Sequence, residues 1–132
     1  MPTFSKSSLD KLITCDPKLQ KLFNEVIKYF DCVVVFGHRG KEDQDKAFAE
    51  GNSKVQWPNG KHNTVPSKAI DVAPFINGKI SWDSKQCLYF GGIVKGIATM
   101  LGIDIRYGGD WDSDNDVTDN KFNDLVHVEL KE

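Results

Sequence analysis

The chain has 132 residues, of which 39% are apolar and 27% charged, and its formal net charge is −2. That length suits one compact domain spanning residues 1–132, and the slightly acidic balance gives no electrostatic case for a nucleic-acid partner. No run reaches the roughly 18 to 20 apolar residues that cross a bilayer, and the start, Met1-Pro2-Thr3-Phe4-Ser5-Lys6, lacks the hydrophobic segment of a signal peptide.

Asp16-Pro17 ahead of Leu19, Leu22, Phe23, Val26, Ile27 and Phe30 sets an N-cap, a first-turn proline and an apolar stripe in helical register. The β-branched run Cys32 to Phe36, closed by Gly37, reads as a strand, and Lys41 to Glu50, ending at Gly51, as a short polar helix. Asn52 to Lys68 is polar and punctuated by Pro58, Gly60 and Pro66, which predicts an irregular loop carrying His62. Ala69 to Pro74 reads as a buried strand, and Asn77-Gly78 as the turn of a hairpin whose second arm is Lys79 to Trp82. Ser84 to Leu101 has apolar positions at helical spacing, with Gly102 placed to end the helix; Gly91, Gly92 and Gly96 would allow close packing on a sheet. Ile103 to Tyr107 and Leu125 to Leu130 complete the strands, the last with Leu125, His127 and Glu129 on one face and Val126, Val128 and Leu130 on the other. The hairpin favours an antiparallel sheet, so the fold class is α+β: a small antiparallel sheet flanked by helices.

Asp71 is the residue that asks for explanation. A carboxylate inside an apolar strand costs several kcal/mol, to an order of magnitude, unless it is paired, hydrogen-bonded or bound to metal. His62 and His127 lie in similarly carboxylate-rich surroundings, and two histidines plus an aspartate are the ligands a catalytic zinc ion takes while keeping a position for water. Each also has a plainer reading: a hydrogen-bonded structural aspartate, a half-buried histidine on a backbone carbonyl, an ordinary loop histidine. Asp124, three residues before His127, fits the turn that precedes the strand. Cys15, Cys32 and Cys87 are odd in number and widely spaced, which suits a reducing compartment and small core residues.

Several blocks occur in a characteristic order: Gly37-His38-Arg39 with Gln44, His62 to Asp71, Ala73-Pro74-Phe75-Ile76-Asn77-Gly78-Lys79-Ile80, Arg106-Tyr107-Gly108-Gly109-Asp110-Trp111, and Asp124-x-x-His127-Val128-Glu129-Leu130. In these the chain resembles the zinc peptidases of bacterial cell walls, which include D-alanyl-D-alanine carboxypeptidases and VanX/VanY-type enzymes, and most of all the phage L-alanyl-D-glutamate endolysins. The resemblance implies a Hedgehog/DD-peptidase-like fold and Zn2+ held by His62, Asp71 and His127. It makes Asp124 the catalytic acid/base, and Arg39 the arginine that steadies a substrate carboxylate or the polarised carbonyl. Glu129 is a second candidate base, better suited to supporting a ligand from behind. The interval from His62 to Asp71 is longer than in the common motif of the group, and Gly60 stands where that motif has serine.

The implied activity is hydrolysis of the L-alanyl-D-glutamate bond of peptidoglycan stem peptides. D-alanyl-D-alanine carboxypeptidase or dipeptidase action and a non-catalytic zinc-binding module are the alternatives. A monomer is expected, without stable membrane association and without a separate wall-binding domain, made in the host cytoplasm and reaching the wall with the help of a holin. The acidic stretch Asp110 to Asp119 also invites a regulatory Ca2+, although Asn115 and Lys121 stand where an EF-hand needs glycine and glutamate.

Overall fold

In a computed structural model, residues 2–120 and 123–131 are described. The elements are α1 (Lys6–Leu12), α2 (Pro17–Val26), β1 (Cys32–Phe36), α3 (Lys41–Ala49), a 3-10 turn (Lys61–Asn63), β2 (Ala69–Ile76), β3 (Lys79–Ile80), α4 (Ser84–Leu101), β4 (Ile105–Tyr107) and β5 (His127–Leu130).

Local chemistry accounts for most boundaries. Asp16 caps α2 by accepting the Lys18 amide at 2.9 Å, and Leu19, Leu22, Phe23 and Val26 of its stripe are fully buried. Asp83 caps α4, and Gly102 ends it in the left-handed conformation (φ 71°). Asn77 and Gly78 both have positive φ (53° and 80°), as a two-residue hairpin turn between antiparallel strands needs.

Five differences from the sequence reading appear. The helix α1 has no counterpart in the sequence reading; it is only seven residues long, capped by Ser5. The second hairpin arm pairs only through Ile80, leaving Trp82 61% exposed. The strand read from Ile103 begins at Ile105, and the one read from Leu125 begins at His127, because Leu125 and Val126 belong to a turn in which the His127 amide donates to the Asp124 carbonyl (3.0 Å). Of the three helical glycines only Gly91 serves close packing: a Cβ there would lie 2.2 Å from the Tyr107 ring, whereas Gly92 and Gly96 face open space.

The sheet is antiparallel in the order β1-β2-β5-β4, with β3 alongside β2. Val34, Ile70, Val72, Ile105, Tyr107, Val128 and Leu130 send their side chains into one core with α2 and α4 residues such as Phe23, Val26, Phe90 and Val94. Because strand side chains alternate between faces, Asp71, Arg106, His127 and Glu129 project from the other side. The buried cysteines are small core residues; burial raises Cys15 to about 11 and Cys32 to about 12, so neither is a ready nucleophile.

Candidate metal and catalytic centre

Pairing of β2 with β5 sets Asp71 directly opposite His127, two residues 56 positions apart in sequence. The third member comes from the segment read as irregular. His62 lies in the 3-10 turn, and its long interval to Asp71 closes on itself: the Lys68 amide donates to the Lys61 carbonyl (3.0 Å), and the Thr64 hydroxyl donates to the Pro66 carbonyl (2.8 Å). The interval is thus closed by its own hydrogen bonds. The Arg39 amide donates to the His62 carbonyl (2.8 Å), which fastens the turn to the end of β1.

His62 Nε2 lies 3.1 Å and His127 Nδ1 3.2 Å from Asp71 Oδ1, and one ligand atom from each of the three residues falls within 4.8 Å of the others. All three side chains are buried. The remaining ring nitrogens have partners: His62 Nδ1 donates to the Gly37 carbonyl (2.8 Å), and His127 Nε2 donates to Glu129 Oε1 (2.9 Å). Those bonds select the tautomers that turn His62 Nε2 and His127 Nδ1 inward, which is the usual outer support of a metal-binding histidine. Two imidazole nitrogens and a carboxylate oxygen are a donor set that fits zinc.

Electrostatics at the cluster are strong. Burial opposes the Asp71 charge, but His62 and His127 outweigh it and hold the carboxyl well below the usual range. Burial likewise opposes a charged His127, yet Asp71 and Glu129 raise its pKa to about 10. Glu129 in turn is held by Lys61 at 3.2 Å and Arg106 at 3.5 Å. Asp124 sits in the turn before β5, as expected, with Oδ2 3.9 Å from His127 Nδ1. Burial, then the charge of Asp71, raises its pKa to about 6 in the absence of a metal ion.

Arg39 is 7% exposed and is no solvated turn residue. Its guanidinium donates to Asp71 Oδ2 (3.1 Å) and to Gln44 Oε1 (3.2 Å), so its principal contact is with a metal-ligand candidate. Gln44, buried on α3, is the hub behind it: Oε1 also accepts from Asn63 (3.2 Å), and Nε2 donates to Ser53 and Val55.

Two residues that matter here were only part of a motif block in the sequence. The Tyr107 hydroxyl donates to the Leu125 carbonyl (2.8 Å), tying down the turn that carries Asp124. Gly108 permits the approach itself, since a Cβ would lie 2.0 Å from the Asp124 carbonyl oxygen and 3.1 Å from His127 Cβ. We expect Gly108→Ala to push this turn off the sheet and to destabilise the protein by about 1–3 kcal/mol, as overpacked sites do. Thermal unfolding measures this, and an unchanged Tm would show that the turn yields freely.

The acidic stretch forms turns, with Ser113 and Asn115 at positive φ. Carboxylates of Asp110, Asp112 and Asp114 come within 4.8 Å of one another. Asp110 is buried and already accepts from the Asn115 amide (2.9 Å) and from Lys95 (3.2 Å).

Around the cluster the surface opens into a cleft with two lobes. One, about 520 Å³, lies beside α3 and reaches Trp82; the other, about 590 Å³, lies beside Trp111 and the acidic stretch. Arg39, Asn52 and Asp124 border both, so the cluster lies where the lobes meet. A buried His-Asp-His group that could hold a metal ion, with a carboxylate next to it at the floor of an open cleft, has the composition of a candidate hydrolase site.

The comparisons with known proteins point to peptidases. The family model described as phage L-alanyl-D-glutamate peptidase matches residues 2–131. The L-alanyl-D-glutamate peptidase of Escherichia phage T5 is 33% identical over 135 aligned positions, covering 96% of each chain. The crystal structure of the Serratia marcescens L-Ala D-Glu endopeptidase ChiX superposes with a TM-score of 0.75 at 21% identity, covering 97% of this chain and 90% of that one, a likeness of fold. The chain belongs to the phage L-alanyl-D-glutamate peptidase family.

Proposed function

We propose that the protein is a zinc-dependent peptidoglycan endopeptidase that hydrolyses the L-alanyl-D-glutamate bond of stem peptides, acting as a phage-type endolysin. The observation that carries this reading is the convergence of His62 Nε2, Asp71 Oδ1 and His127 Nδ1 beside Asp124, in a chain of this family. Zinc held by His62, Asp71 and His127 would supply Lewis acidity and a water acidified toward neutral pH.

The chain's own residues do the remainder. Asp124 takes the proton of the attacking water and passes it to the nitrogen of the leaving D-glutamyl group. Glu129 and the Gly37 carbonyl hold the two imidazoles in the tautomers that face the ion. Arg39 orients Asp71 from behind and borders the substrate path, while Trp111, packed 5.4 Å from the His127 ring, walls off solvent on one side. A cleft that continues on both sides of the cluster suits cleavage within a chain better than removal of a terminal residue.

We read the polypeptide as a catalytic domain that acts as a monomer and is made in the host cytoplasm before holin-dependent release. Among the described residues, no helix is long and apolar enough to cross a membrane. A regulatory calcium ion at Asp110, Asp112 and Asp114 belongs to the same proposal; unchanged rate and Tm on adding calcium to metal-free protein would remove it.

The direct test is lysis of outer-membrane-permeabilised Gram-negative cells by purified protein before chelation, after it and after zinc is restored, with mass analysis of the products. The expected result is chelator-sensitive, zinc-restored release of peptides that begin with D-glutamate. Release of terminal D-alanine would transfer the protein to the carboxypeptidases, and no release with zinc bound would make it a non-catalytic module.

A further inference from the structure

Cleavage between L-alanine and D-glutamate places chemically different groups on the two sides of the bond. The alanyl side contributes a methyl group and a further amide. D-glutamate has two carboxyl groups, and whichever one does not continue the chain is a free carboxylate close to the scissile nitrogen. An endopeptidase for this bond therefore needs one neutral side and one cationic side, and the two lobes differ in this respect.

In the lobe beside Trp111 the cations are already committed. Lys61 pairs with Glu129 and also donates to the Leu130 carbonyl, and Lys54 has a partner of its own. Asp112 and Asp119 stand at that rim as Asp43 and Glu50 do at the other, so what distinguishes the lobes is whether a cation is left uncommitted. Arg39 borders both lobes, but its guanidinium is buried against Asp71 and Gln44.

The lobe beside α3 is different. Lys46 lines it, is exposed, and its side chain has no hydrogen-bond or ion-pair partner among the described residues. Asp43 and Glu50 stand one helical turn before and after it, and neither forms an ion pair with its ammonium among the described residues. Trp82 continues this lobe into a further hollow of about 340 Å³ against the β2–β3 hairpin, lined also by Lys79. That gives this side the length a leaving peptide requires.

We propose that the α3 lobe receives the D-glutamyl side of the scissile bond, with Lys46 as the specificity-determining residue that reads its free carboxylate, and that the Trp111 lobe receives the neutral alanyl side. This rests on the endopeptidase reading above and gives it a direction along the cleft. Lys46 contacts substrate without taking part in proton transfer, so it acts on selectivity.

The test uses zinc-loaded protein and two N-acetyl-L-alanyl-D-glutamyl peptides, one with the non-continuing carboxyl free and one with it as the carboxamide. Wild type should favour the carboxylate. Lys46→Gln should lower the ratio of kcat/KM values by about three- to fivefold, the range an exposed ion pair permits, mainly through KM; Lys46→Glu should invert the preference and Lys46→Arg should retain it. Because the side chain is exposed, the variants should keep the wild-type Tm. Ratios unchanged in Lys46→Gln and Lys46→Glu would overturn the assignment while leaving the endopeptidase intact. Failure of wild type to cleave either peptide would remove the endopeptidase reading, and this assignment with it.

Discussion

Asp124→Asn is expected to lower kcat by about 10²–10⁴-fold, the usual contribution of a positioned acid/base group, while zinc content and KM stay near wild type. The carboxamide keeps the shape of the side chain but can neither accept nor return a proton. Asp124 Oδ2 lies 3.9 Å from His127 Nδ1, outside hydrogen-bonding distance, so the substitution should leave the ligand cluster assembled. Steady-state kinetics beside metal analysis of the same preparation make the measurement. Turnover within tenfold of wild type would take proton transfer away from Asp124. Glu129, already bonded to His127, would be the next carboxylate to examine.

The second large effect is on folding. Asp71→Ala removes the partner of a guanidinium whose side chain is only 8% exposed, and breaking such a buried pair costs about 3–5 kcal/mol. It also removes the oxygen ligand of the proposed zinc site, so this variant should bind no zinc and melt lower even when compared with metal-free wild type. The metal-free comparison separates the two effects. Adding Arg39→Met should recover part of the lost stability, since an apolar side chain carries no stranded charge, but it should not recover zinc binding. An Asp71→Ala protein with the Tm of metal-free wild type would mean that Arg39 finds another partner without cost.

The α+β class, the approximate extents of α2, α3, α4, β1 and the hairpin, and the residues now grouped as His62, Asp71, His127 and Asp124 were all determined by the sequence itself. Caps, apolar periodicity and turn residues act over a few positions, and the motif blocks name the site residues in order. What lay beyond it was anything set by contacts distant in sequence. The first turn of the predicted last strand is one example: Leu125 and Val126 have strand-like composition, but Tyr107 and Gly108 hold that segment as a turn and so place Asp124. The interval after His62 is another, closed by a hydrogen bond from Lys68 to Lys61 that no local propensity announces. Arg39 is the third: the family resemblance suggested a group facing substrate, and only the packed structure pairs it with Asp71 and Gln44. The register of β2 against β5, which brings Asp71 opposite His127, depends on burying Ile70, Val72, Val128 and Leu130 on the same side of one sheet. Slipping one strand by one residue would turn its two side chains of that set out of the core and separate the cluster, so the tertiary hydrophobic contacts decide the geometry of the site.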